Sequence, residues 1–116
     1  MLPALVSACL LVAATACGAT PIVPVLPGQS GAELYAAQGC GRCHGDDGSS
    51  AFFLPGPDLR GIGAHWTRAD LAAYFADPPA WVQRVPSLRG RSMPAYAHLD
   101  EAARLALADH VLELSP

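Results

Sequence analysis

Cys40-Gly41-Arg42-Cys43-His44 concentrates the chemistry of this 116-residue chain. Two thiols separated by two residues can hold zinc, cycle as a redox pair, close a small disulfide, or add to the vinyl groups of a porphyrin. Four cysteines are present, and Cys9 and Cys17 lie in an apolar N-terminal stretch. A zinc ribbon needs a second ligand pair, which residues beyond that stretch do not supply. A thioredoxin-like pair needs a βαβ context, and no alternating strand-like run precedes Cys40. A lone disulfide across two residues would be unusual. His44 decides between these readings, because C-x-x-C-H is the attachment signature of c-type haem. Each thiol can add to one vinyl group, and the histidine next to the second thiol is then placed beneath the iron as proximal ligand.

Haem iron in electron carriers usually takes two axial ligands. The chain has two methionines, and one is Met1. Met93 is thus the thioether available on the distal side, in Arg91-Ser92-Met93-Pro94-Ala95-Tyr96. Pro94 argues against a helix interior there and so against a methionine that merely fills a helical core. The rivals are His65, His98 and His110, with His98 only five residues beyond Met93. A bis-histidine iron would have the lower potential.

Helices must position these groups. Ser30-Gly31-Ala32-Glu33 has the form of a capping box and starts a helix predicted to reach about Gly39. Thr67-Arg68-Ala69-Asp70 starts a second, from Thr67 to Ala76, which Asp77-Pro78-Pro79 stops. Its apolar stripe is Leu71, Tyr74 and Phe75. Asp100 caps a last helix over 100–114, where Leu105, Val111 and Leu112 contribute to the apolar stripe. Loops rich in Gly and Pro fill the intervals. The expectation is an all-α domain of about three main helices wrapped around a cofactor.

The first quarter is different. Residues 1–32 carry no charged side chain, and every Arg, Asp and Glu lies from Glu33 onward. Residues 1–16 read as a signal peptide or membrane-targeting leader, an apolar run ending in Ala14-Thr15-Ala16. Cys17 directly after it is a candidate for lipidation in a bacterial lipobox, although the leader lacks Lys or Arg. An uncleaved anchor is the alternative, since the uncharged run is long enough to span a bilayer. Residues 17–29 form a Pro-rich tether, with Pro21, Pro24 and Pro27 at every third position. Polyproline geometry at ~3.1 Å per residue would let twelve residues reach roughly 37 Å. Residues 30–116 form the folded domain, small enough that a covalent cofactor would help hold it together. The net charge of −3 argues against nucleic acid as a partner. All seven basic residues are Arg, so no docking ring of lysines exists.

From Ser30 to Pro116 the chain resembles the class I cytochrome c family. Gly31-Ala32-Glu33-Leu34-Tyr35 is similar to its N-terminal helix, where a Gly and an aromatic residue face the closing helix. Gly56-Pro57-Asp58-Leu59 is similar to the family's G-P-x-L loop, Trp66 to Pro78 to its middle helix, and Ser92-Met93-Pro94 to its axial loop. The resemblance implies that the Pro57 carbonyl accepts a hydrogen bond from the His44 ring. It also makes Trp66, Arg89 and Arg91 candidates to hold a haem propionate. One departure is His110, which stands where the family often has an aromatic residue. It is expected to pack against Tyr35 and not to ligate.

Together these readings describe an exported electron-transfer protein, periplasmic or on the outer face of the cytoplasmic membrane. It would hold one haem c through Cys40 and Cys43, with His44 and Met93 as axial ligands, and meet redox protein partners. Anchoring would come from a lipidated Cys17 or a retained leader. Such a protein is a carrier and not an enzyme in itself, though it could be a subunit of an oxidoreductase. The competing reading is a ligand-sensing or peroxidase-like haem protein, which requires an open sixth site.

Overall fold

The computed structural model describes residues 22–52, 56–85, 88 and 93–116. The leader, Cys17, Arg89 and Arg91 lie outside the described residues. Among those described, the regular elements are all helical, and no helix is long and apolar enough to cross a membrane.

Helix α1 spans Gly31–Ala37. Its first turn is closed from both directions. The Ser30 hydroxyl accepts from the Glu33 amide at 3.2 Å, and the Glu33 carboxylate accepts from the Ser30 amide at 3.3 Å. Two of the amides that a helix start leaves without partners are satisfied in this way. Helix α2, Gly41–His44, is one turn long and carries most of the cysteine motif. A 3₁₀ turn follows at Ile62–Ala64.

Helix α3 spans Arg68–Ala76 and begins where the Thr67 hydroxyl accepts from the Asp70 amide at 3.1 Å. It ends at Asp77, as the sequence leads one to expect. The chain then enters a further helix, α4, over Pro78–Val82. Proline at a first helical position forgoes only an amide that has no intrahelical partner, so the residues that stop one helix start the next. Helix α5 spans Glu101–Glu113, capped by the Asp100 carboxylate accepting from the Ala103 amide at 2.8 Å.

The core joins α1, α3 and α5. Leu34 and Tyr35 of α1, Leu71 and Phe75 of α3, and Leu107, Ala108 and Val111 of α5 are buried together with Tyr96 and Leu99. Each large aliphatic side chain withdrawn from water here contributes about 1.5–3 kcal/mol. On α5 the buried stripe runs through Leu107, Ala108 and Val111, while Leu105 is only half-buried and Leu112 packs at the margin. Leu105 lies off the stripe that spacings of three and four generate from Leu107 and Val111.

Gly31 lets α1 and α5 cross closely. A Cβ there would collide with the Ala106 carbonyl and come within 2.8 Å of His110 Cβ. One turn further along, the Tyr35 and His110 rings meet edge to face at 5.2 Å. His110 therefore sits in an aromatic packing position, as expected. On the outer surface, Arg68 of α3 pairs with Asp109 of α5 at 2.6 Å.

Candidate cofactor-binding site

The cysteine motif folds as a single helical turn. The Cys43 and His44 amides donate to the Cys40 carbonyl at 3.3 and 3.1 Å. Residues three and four apart share a helix face, so Cys40, Cys43 and His44 lie on one side of the turn. The two cysteines are not joined to each other; Cys43 is exposed and Cys40 half-buried. Burial pushes the Cys40 thiol up to about 11. The Tyr96 hydroxyl hydrogen-bonds with it.

A short loop returns to this turn and fixes the histidine. Two amides, those of Ala51 and Gly56, donate to the Cys43 carbonyl, and the Ser50 hydroxyl donates to the Gly56 carbonyl at 2.7 Å. Ser50 pays for this closure with a φ of 99°, a left-handed conformation uncommon for a residue with a side chain. Gly56 then lies close to the imidazole. A Cβ there would be 2.9 Å from His44 Nδ1, so a larger residue would push the ring aside. Next to it, the Pro57 carbonyl lies 2.9 Å from His44 Nδ1. A carbonyl can only accept, so Nδ1 carries the proton and donates. With Nδ1 committed to this bond, Nε2 is the ring nitrogen that can face a metal.

The remaining candidates are arranged around the core. Met93 is half-buried and packs against the core cluster, as do Leu59, Ile62, Trp66 and Tyr74. The loop after Met93 is held to α3 by the Tyr96 amide donating to the Phe75 carbonyl at 2.7 Å. Trp66 stacks at a tilt 5.4 Å from Tyr74 and 5.5 Å from Trp81, and the Arg84 guanidinium lies 5.3 Å from the Trp81 ring centre. Trp66 is thus a packing residue in an aromatic cluster, whatever else it touches. His65 is exposed. His98 Nε2 is engaged by the side chain of Gln38 at 2.9 Å. Gln38 is a residue the motifs gave no reason to single out, because a glutamine at a helix end has no distinctive sequence signal. Among the described residues no three His, Cys, Asp or Glu side chains gather as a metal cage requires.

Comparison with known proteins bears on the whole domain. The family model for cytochrome c matches residues 28–115. The chain belongs to the cytochrome c family. Comparison with curated proteins and with solved structures gave no match. Members of the cytochrome c family carry haem c bound covalently through cysteine, and the donor set here suits that group. Two cysteines share a helix face with an imidazole whose Nδ1 is held by a carbonyl, and Cys40 packs against the same core cluster as Met93. As a cytochrome c, the chain has a function in haem-based electron transfer.

Proposed function

We propose that this cytochrome c carries single electrons with His44 as proximal and Met93 as distal ligand, on the outer side of the cytoplasmic membrane. The hydrogen bond from His44 Nδ1 to the Pro57 carbonyl carries the reading, since it fixes the tautomer and orientation that a proximal ligand requires. Haem iron, when bound, supplies one-electron exchange between the ferric and ferrous states. Cys40 and Cys43 would hold the group by thioether bonds. The Pro57 carbonyl would make the imidazole a stronger donor, and Gly56 would keep the ring from turning. Met93, on a loop tied to α3 through Tyr96, would complete the axial pair.

A protein of this kind meets its redox partners through small, transient contacts. The leader and the Pro-rich stretch support export, with Cys17 as the lipidated residue that tethers the domain. Mass spectrometry of the mature N-terminus tests that point. A diacylglyceryl cysteine is expected, and a free N-terminus elsewhere overturns it.

The axial pair is tested by visible spectra of protein made with haem-attachment machinery. Low-spin ferrous bands with the weak ferric red-end band of sulfur ligation are expected. Met93→Ala should abolish that band and open the iron to small ligands. If Met93→Ala leaves both the band and ligand binding unchanged, Met93 is not the ligand.

A further inference from the structure

Gln38 carries no recognisable motif, yet among the described residues it alone is both polar and buried, at 5 % exposure. It closes the end of α1, and its polar atoms go to two different segments. The side-chain Nε2 donates to the Val23 carbonyl at 3.1 Å. This bond sets the orientation of the amide, because the carbonyl can only accept. The amide oxygen must then face the other way, and His98 Nε2 lies there at 2.9 Å. An amide oxygen also only accepts, so His98 Nε2 carries the proton. The main-chain carbonyl of Gln38 accepts from the Tyr96 hydroxyl at 3.5 Å.

One buried residue therefore holds the axial loop at two points, three and five residues beyond Met93. It also keeps the Nε2 of the nearest rival ligand protonated, without a lone pair to offer a metal. The segment around Val23, which reads in the sequence as a spacer, supplies the carbonyl that orients the amide.

We propose that Gln38 is a positioning residue for the axial loop, holding Met93 in place and keeping His98 from competing with it. The proposal rests on Met93 being the distal ligand. The amide links the end of α1 to the axial loop through His98, so removing it releases His98 and loosens the loop together.

The test is titration of the ferric holoprotein with imidazole, following loss of the sulfur-ligation band. Gln38→Leu should lower the imidazole concentration at half-displacement by about tenfold, the effect of losing one well-placed hydrogen bond. His98→Ala, at an exposed position, should shift it in the same direction, and it keeps the test valid should Gln38→Leu not fold. The double variant should shift it no further than Gln38→Leu alone, as expected for two residues acting through one bond. Thermal melting run alongside separates a loosened loop from a weakened domain. A half-displacement point that stays at the wild-type value in His98→Ala and in any folded Gln38→Leu protein overturns this inference alone. A wild-type protein with no sulfur band to displace overturns the axial reading and this inference with it.

Discussion

The two sides of this domain are finished differently. Where α1, α3 and α5 meet, the core is completed by the chain's own side chains. Leu34, Leu107 and Ala108 are at most 1 % exposed, and Gly31 brings two helices into direct contact. Around α2 and at the start of the axial loop, Cys40, Leu59, Ile62, Trp66 and Met93 are half-buried and pack against the core, while Tyr96 and Leu99 further along the loop are buried in it. Geometry there is kept by hydrogen bonds to carbonyls, at Cys43, Gly56 and Pro57, rather than by packed aliphatic surface. The helical side is stabilised by what the sequence itself buries, and the loop side is expected to draw more of its stability from the cofactor.

The largest expected effect comes from removing both attachment thiols. In Cys40→Ala/Cys43→Ala no haem should survive acid–acetone extraction. Hydrogen exchange should then show the amides of 40–66 and 93–99 losing protection well before those of α1 and α5. Equal loss in both regions would break the contrast. Gly31→Ala attacks the other side, forcing a methyl group into the Ala106 carbonyl. It should cost about 3 kcal/mol in urea denaturation, while the visible spectrum of the folded fraction stays unchanged. A shifted spectrum would mean that the helix crossing and the site are not separable.

Raising the pH acts on the joints between the two sides. The Tyr35 hydroxyl donates to the Gly45 carbonyl at 2.6 Å, and Tyr96 reaches Cys40. Burial, with a smaller contribution from neighbouring Cys40, raises both phenols to about 12. Burial is the larger cause and survives conversion of Cys40 to a thioether. An unfolded tyrosine ionises near ~10, so the unfolded chain loses its protons first. The stability these phenols contribute is intact below pH ~10 and is lost progressively as the pH rises through about 12. Tyr96→Phe should flatten that loss in base-titrated denaturation curves, and an unchanged slope would remove Tyr96 from the account. The smallest effect is expected at the surface. Arg68→Ala breaks an exposed ion pair and should change stability by no more than about 0.5 kcal/mol. A larger change would show that the α3–α5 contact depends on charge as well as on its apolar core.

What the sequence makes legible here is chemistry that acts over a few residues. Ser30, Thr67 and Asp100 each reach an amide three residues on, so their helix starts can be read from spacing alone. The cysteine motif is legible for the same reason. The proline pair after Asp77 is half-legible, since it reads as a stop and gives no hint of the turn it begins. Leu105 shows the limit of counting apolar residues, because several neighbours on α5 could have formed the stripe and packing chose Leu107 and Ala108. Gln38 is not legible. Its partners lie 15 and 60 residues away, and no local pattern marks a glutamine that the fold will bury.

The crossing at Gly31 has a mechanical consequence. Helix α1 opens the folded part of the chain and α5 closes it, and they are clasped where Gly31 meets Ala106 and Tyr35 meets His110. Tension applied between the segments flanking these two helices would load this clasp first. A pull on the N-terminal side would also be felt at Gln38, through the Val23 carbonyl, so the segment ahead of α1 is the one whose tension the axial loop would register.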